Sequence, residues 1–374
     1  MSAVTDISSI SEIVFSEYTN NFDHLENITE SGQSNFSAWF SSLFGTLSVA
    51  IALTAILGNF LVIATILTNR QLITYTNSFI VGLAMADLCN GVEITFRSVN
   101  TYLGYWPFGK VGCEIFLFVA HYTVQVIYVL ILVIAIDRFR SIRSPLHHLR
   151  MKRLTYAVRQ ILATYISQVL VISFYLYALP LMLGRGFDIP DKVCLSRFSI
   201  NESIGLYFML ITRYVPVLTT GMLYVVIYAI ITRRKLFKKS LTTETKSNNP
   251  VTEYSLESKS VATVSVRFDR STVDLETATH QHPSAGGKKR SYYRAERTLT
   301  MIFFILLVSS LPYIIAYSVH LLCDHCVSIG VFNAAVVVSH MSFAINPICY
   351  ATGNPLIRAG IINLVCRPKR GEKS

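Results

Sequence analysis

Polar and charged side chains stand inside otherwise apolar stretches of this sequence, and their spacing limits the chemistry open to them. Asn59, Asp87 and Asn346 are amide and carboxylate groups in three separate apolar runs. Polar groups at such positions are expensive in a membrane and so mark function by default. Glu93 and Arg97 are four residues apart, which on a helix puts them on one face. They either pair with each other, or one is available to a cation and the other to an anion. His121 and Gln125 occupy adjacent turns, Arg213 is a cation in a further run, and Ser339 and His340 are neighbours in the last. Together these could line a polar ligand cavity. Arg213 matters most, because an unpaired cation in hydrocarbon is costly on any scale. It faces a carboxylate-bearing ligand, snorkels, or pairs internally. No enzyme is expected: His121 and His340 make neither a metal-ligand set nor an activated nucleophile.

The elements that position these groups follow from composition. The 374 residues are 52% hydrophobic and 15% charged, with a mean hydropathy of +0.46. Charge is too scarce to coat a soluble protein of this size. A helix needs about 20 mostly apolar residues to cross roughly 30 Å of hydrocarbon. Seven such stretches occur, near 43–68, 75–97, 110–137, 154–183, 204–232, 297–322 and 330–352. They are too long for barrel strands, and only helices or closed barrels satisfy every backbone group in lipid. The expected fold is an all-α membrane protein, a seven-transmembrane helix bundle with a short amphipathic helix after helix 7, from Asn354 onward.

Asp6, Glu12, Glu17, Asp23, Glu26 and Glu30 precede the first run without any Lys or Arg, whereas basic residues gather in alternate loops. These include Arg70, then Arg140, Arg143, Arg150, Lys152 and Arg153, then Arg233, Arg234, Lys235, Lys238 and Lys239, and finally Arg358 and Arg367. The positive-inside rule makes those loops cytoplasmic and the amino terminus extracellular in a multi-pass plasma-membrane protein. Glycosylation sequons at Asn27, Asn35 and Asn201 fall on the expected outside, although such tripeptides also arise by chance. Residues 1–35 lack a basic region followed by an apolar run, so helix 1 would act as the insertion signal. The net charge of +11 is thus a topology signal; the lipid bilayer is the partner, not nucleic acid.

The expected organisation is an extracellular tail over 1–42, helices 1 to 5 over 43–236, a disordered third cytoplasmic loop over 237–291, helices 6 and 7 over 292–352, and the amphipathic helix and cytoplasmic tail over 353–374. The loop is rich in Ser, Thr, Lys and Glu and serves either as a phosphate acceptor or as a solvated tether. Cys113, Cys194, Cys323 and Cys326 face the oxidising side. Paired as Cys113–Cys194 they would staple the second outer loop to helix 3, and Cys323–Cys326 would close a small ring. The latter CxxC is also half a metal or redox motif, without a second half. Cys89 and Cys349 read as small packing residues. Cys366 is either a palmitoylation site or an ordinary thiol.

Gly58-Asn59, Leu83-Ala84-Met85-Ala86-Asp87-Leu88, Asp137-Arg138-Phe139, Pro216 with Tyr224, Pro312-Tyr313 and Asn346-Pro347-Ile348-Cys349-Tyr350 occur in order on successive helices. With the outer cysteines, this set resembles the rhodopsin-like G-protein-coupled receptors over residues 43–366. Within that family the likeness is to muscarinic acetylcholine receptors. It rests on Trp106-Pro107-Phe108-Gly109, Arg297-Thr298-Leu299, Cys323-Asp324-His325-Cys326 and the Asn346–Ala351 stretch. The resemblance implies a receptor that binds an extracellular small molecule or peptide and signals to a heterotrimeric G protein, with arrestin and receptor kinases as further partners. It implies a switch of Asp137, Arg138, Tyr224, Pro312, Asn346, Pro347 and Tyr350, and a central network of Asn59, Asp87 and Asn346 where relatives bind sodium. Ligand would favour an outward swing of the inner end of helix 6, with Arg138 released from Asp137 toward Tyr224, Tyr350 and the G protein. The plainer alternative is that Asp137-Arg138 is a snorkelling ion pair.

Departures from the family pattern are concentrated in the ligand pocket. Ala120 stands where amine receptors carry an aspartate, Ser310 where the family has a tryptophan, and Val336 and His340 where muscarinic receptors supply tyrosines. A quaternary ammonium needs an anion or an aromatic cage, so its usual pocket is dismantled. Val124 and Tyr313 complete the pocket candidates. Retinal is excluded, since helix 7 contains no lysine. Ile127 and Phe343 replace common hydroxyl ligands of sodium. Leu306 replaces an aromatic switch and Tyr292 an acidic partner of Arg138, which predicts activity without ligand. A transporter would show inverted repeats, and none is evident. The remaining rival is a receptor-derived ligand-binding or scaffold protein that does not activate G protein.

Overall fold

The computed structural model describes residues 33–144, 148, 150–182, 194, 207–208, 210–247, 285–323 and 326–366. No strand occurs among them, as expected of a backbone that lipid cannot hydrogen-bond. The helices are α1 Gln33–Thr68, α2 Tyr75–Leu103, α3 Gly109–Arg143 and α4 Leu154–Met182, the last broken by a π turn at Phe174–Ala178. Helix α5 opens with a π turn, Leu210–Tyr214, and continues as Val215–Ser247. Then follow α6 Ala285–Leu322, α7 Ile329–Gly353 and the short α8 Pro355–Cys366. Among the described residues, seven helices are long and apolar enough to span a bilayer, and the protein is multi-pass.

Local chemistry sets several ends. Thr74 caps α2 by accepting from the Asn77 amide at 3.3 Å, and Ser328 caps α7 by accepting from the Val331 amide at 3.4 Å. Gly104, with φ of 73°, closes α2 in the left-handed conformation. Elsewhere the helices outrun their apolar stretches. α1 begins at Gln33 rather than near 43, α5 continues to Ser247, and α6 begins at Ala285. The third loop expected as disordered over 237–291 is therefore helical at 237–247 and 285–291. Hydropathy marks only the lipid-crossing part, whereas Arg, Lys, Leu and Glu continue a helix well beyond it. Residues 248–284, Asn27, Asn201 and the Tyr292 side chain lie outside what is described, and Asn35 lies in the first turn of α1. Cys349 is buried as expected, but Cys89 is exposed on the surface of α2 rather than packed.

One compact unit comprises Met1–Tyr224 with Arg294–Ser374, and Val225–Tyr293 forms another. Within the first, α1 packs on α2 and α7, α2 on α3 and α4, α3 on α4, and α8 on α1 and α7. The Cys113–Cys194 disulfide, with Cα atoms 5.4 Å apart, marks one end of this bundle. Trp106 is buried against it and donates Nε1–H to the Gly109 carbonyl at 2.9 Å. Cys323 and Cys326 are bonded as well. Arg138 lies toward the opposite end of α3.

Two prolines open the backbone ladder, and side-chain amides from other helices close it. Pro347 has no N–H to offer the Phe343 carbonyl four residues earlier; Asn59 Nδ2 donates to that carbonyl at 3.1 Å and to the Ala55 carbonyl at 2.9 Å. The approach requires Gly58, where an added Cβ would stand 2.8 Å from Pro347 Cγ. Likewise Pro216 leaves the Thr212 carbonyl without its i+4 donor, and Gln125 Nε2 donates there at 2.6 Å.

Candidate functional site

The structure brings the candidate residues together in three places along the bundle. At its centre Asp87 and Asn59 are fully buried and Asn346 is nearly so. Asn346 Nδ2 donates to Asp87 Oδ2 at 2.9 Å. Asp87 Oδ1, Asn59 Oδ1, Asn346 Oδ1 and the Tyr350 hydroxyl have no hydrogen-bond partner among the described residues. Ile127 and Phe343 are buried and contribute no hydroxyl. A pair unnoticed in the sequence, Thr123 Oγ1 donating to Asn90 Oδ1 at 2.9 Å, ties α3 to α2. No cluster of three His, Cys, Asp or Glu that could hold a metal occurs among the described residues.

At the end away from the disulfide, Asp137 and Arg138 are buried. Arg138 Nη2 lies 3.8 Å from Asp137 Oδ2, a Coulombic contact beyond hydrogen-bond range. Its Nε and Nη2 have no hydrogen-bond partner among the described residues. Asp137 Oδ1 instead accepts from the Tyr75 hydroxyl at 2.6 Å, with His148 Nδ1 at 3.6 Å. Burial holds the His148 imidazole below the usual histidine range although Asp137 pulls the other way, and burial also pushes the Lys152 ammonium down. Tyr75 and His148 were not legible as site residues, because both stand at the edges of apolar runs. Tyr224 packs its ring on Phe303 at 5.0 Å, joining α5 to α6. Pro312 and Pro347 both lie inside their helices.

Toward the disulfide end, the Glu93–Arg97 alternative resolves as an ion pair. Arg97 Nε and Nη2 both donate to Glu93 Oε1, at 3.0 and 2.6 Å. The Arg97 side chain is 37% exposed and Glu93 only 3%, and the guanidinium lies 5.2 Å from the Phe116 ring centroid. Arg213 is 8% exposed and lies 5.5 Å from the Tyr313 ring centroid. No carboxylate pairs with it among the described residues. A cation over an aromatic face gains about 0.5–2 kcal/mol, whereas desolvating an ion costs several kcal/mol. Tyr313 alone does not balance Arg213.

His121 Nδ1 donates to the Leu117 carbonyl at 2.8 Å. His340 is 8% exposed, and its Nδ1 has no partner among the described residues. Ser310 is buried, whereas Ala120, Val124 and Val336 are partly exposed. Two candidates are turned to other work. The Gln125 amide holds the Thr212 carbonyl, and Ser339 Oγ donates to the Val336 carbonyl of its own helix at 2.7 Å. Tyr313 and Tyr317 of α6 meet Phe332 of α7, with ring centroids 5.9 and 6.4 Å apart.

The model of the 7 transmembrane receptor (rhodopsin family) matches residues 58–350. Muscarinic acetylcholine receptor M2 of Gallus gallus is 31% identical over 180 residues, covering 47% of this chain and 38% of that receptor. Muscarinic acetylcholine receptor M3 of Gallus gallus is 32% identical over 198 residues, covering 51% and 30%. The M3 receptor of Gorilla gorilla gorilla is 30% identical over 214 residues, covering 56% and 35%. The matched segments thus span well under two thirds of each relative's length.

Proposed function

The chain belongs to the rhodopsin family of seven-transmembrane receptors, and on that premise we propose that it passes the signal of an extracellular ligand to a heterotrimeric G protein. It would do so from the plasma membrane, amino terminus outside. The observation that supports this best is the buried Asp137–Arg138 pair, whose 3.8 Å contact leaves two guanidinium nitrogens without hydrogen bonds among the described residues. Such a cation is poorly satisfied where it stands and gains by moving to a better acceptor.

The bundle then works as two arrangements whose populations a ligand biases by its differential affinity. In the resting one, Asp137 attracts Arg138 and is itself anchored by the Tyr75 hydroxyl. In the other, Arg138 leaves Asp137, turns toward Tyr224 and Tyr350, and meets the carboxy-terminal helix of the G protein. Pro312 and Pro347 supply places where α6 and α7 bend at lower cost. Sodium belongs to the same reading: Asp87 Oδ1, Asn59 Oδ1 and Asn346 Oδ1 are the oxygens that would hold it. Receptor kinases would act on serines and threonines of the third loop, and arrestin would follow. A palmitoyl chain on Cys366, which is exposed at the end of α8, would anchor that helix.

Exchanging Arg138 for Ala tests the reading. Receptor at unchanged surface density should lose G-protein activation, and retained coupling refutes the assigned role. Buried Leu306 and Ser310, in place of aromatic residues, favour a second reading as a ligand-binding or scaffold protein that never activates G protein. Wild-type receptor that stays silent toward every G-protein class with ligand bound would establish it. Acetylcholine is not carried over from the relatives, because Ala120, Val336 and His340 provide neither anion nor cage.

A further inference from the structure

Resting on the receptor reading, we propose that the disulfide end of the bundle takes a small organic carboxylate, whose anion pairs with Arg213. The charges placed there carry the argument. Glu93 is consumed by Arg97, which donates to it through two nitrogens at 3.0 and 2.6 Å. Pairing those two charges leaves Arg213, more than nine-tenths buried, as a positive charge beside the Tyr313 ring with no carboxylate partner among the described residues. Among the described residues, then, Arg213 lacks one negative charge, and Glu93, 3% exposed and already paired, is not open to a cation. That asymmetry selects a monoanion and rejects amines.

His340 supplies a second polar group. His340 Nδ1, buried without a partner among the described residues, offers the ligand a hydrogen bond. The body of the ligand would meet the ring cluster of Tyr313, Tyr317 and Phe332, which joins α6 to α7 and includes the ring beside Arg213. A flat or short apolar body suits them. Arg97 is the more exposed cation and guides the anion inward, and Arg213 holds it.

The test uses the purified full chain in detergent, with benzoate, phenylacetate and hexanoate as probes. Benzamide, benzyl alcohol, benzylamine and acetylcholine are the comparators. Carboxylates should raise the melting temperature with dose, and neutral and amine counterparts should not. Arg213→Gln should weaken the carboxylate effect at least tenfold in half-saturating concentration, and Arg213→Lys should restore part of it. In the absence of any probe, Arg213→Gln should melt at or above the wild type, because it removes a charge that the protein does not compensate. The proposal is overturned if carboxylates fail to stabilise wild type or act equally on Arg213→Gln. A larger effect of benzylamine or acetylcholine also overturns it, as does a lower melting temperature of ligand-free Arg213→Gln. Binding without G-protein activation would sink the receptor reading and leave the carboxylate site standing. Activation that depends on Arg138 and responds to amines would do the reverse.

Discussion

Asn59 and Pro347 should be coupled through a single carbonyl, and the size of that coupling can be worked out in advance. The Phe343 carbonyl lost its helical donor when residue 347 became proline, and Asn59 Nδ2 serves it from α1 at 3.1 Å. Asn59→Ala leaves this buried acceptor unmet, which costs about 1–3 kcal/mol in water-soluble cores. Between membrane helices such bonds average about 0.6 kcal/mol and reach about 1.7. A loss of about 1 kcal/mol is therefore expected, or roughly 2–4 °C in melting temperature. In Pro347→Ala the backbone N–H returns, the carbonyl is satisfied within α7, and Asn59 is left bonded to Ala55, whose carbonyl also accepts the backbone of its own helix. There Asn59→Ala should cost only a few tenths of a kcal/mol. Thermal unfolding of the four proteins of this cycle in detergent measures the difference. If Asn59→Ala costs the same in both backgrounds, the amide does not repair the proline break.

Tyr75→Phe removes a hydrogen bond to a carboxylate, worth about 1.5–3 kcal/mol, and should raise ligand-independent G-protein activation at equal surface density; an unchanged second-messenger level refutes its resting role. Cys113 and Cys194 are 81 residues apart, so on the chain-entropy argument opening their bond costs up to about 4–5 kcal/mol. Cys113→Ser and Cys194→Ser should lose surface expression equally, with the double variant no worse, whereas opening the ring at Cys323, three residues from its partner, should matter far less. Burial lowers the His148 pKa, so the unfolded chain takes a proton that the folded one refuses, and stability should fall as pH drops below about 6.5. Melting curves at pH 5.5 and 7.5 should converge in His148→Phe, and an unchanged difference rules the histidine out.

Much of the bundle could be read from the sequence, because a bilayer imposes one length and one polarity on anything that crosses it. The Glu93–Arg97 pair was legible for a similar reason: four residues on a helix is a fixed geometry. What stayed hidden depends on partners brought together by packing. Gln125 reads as a pocket residue, but its acceptor is the carbonyl of Thr212, 87 residues away, and nothing near either position announces the bond. Asn59 reaches across 284 residues to Phe343; the proline signals an unmet carbonyl without naming its donor. Tyr75 and His148 stand in polar margins where many side chains are solvated, so their common contact with Asp137 has no pattern in the chain. Helix ends beyond the hydrocarbon were missed because hydropathy is blind to a charged helix in water.

The wide turn at Leu210–Tyr214 has a rotational consequence. Each residue of an α-helix advances the side-chain direction by about 100°, and a five-residue turn inserts one residue beyond the regular count. Everything on the amino-terminal side of Pro216 is therefore out of phase with the rest of α5 by about that angle. Without the insertion, Arg213 would point about a quarter-turn away, and the guanidinium that now meets Tyr313 would be aimed elsewhere. A one-residue deletion in this turn is thus a change of heading for the cation more than a shortening of the helix.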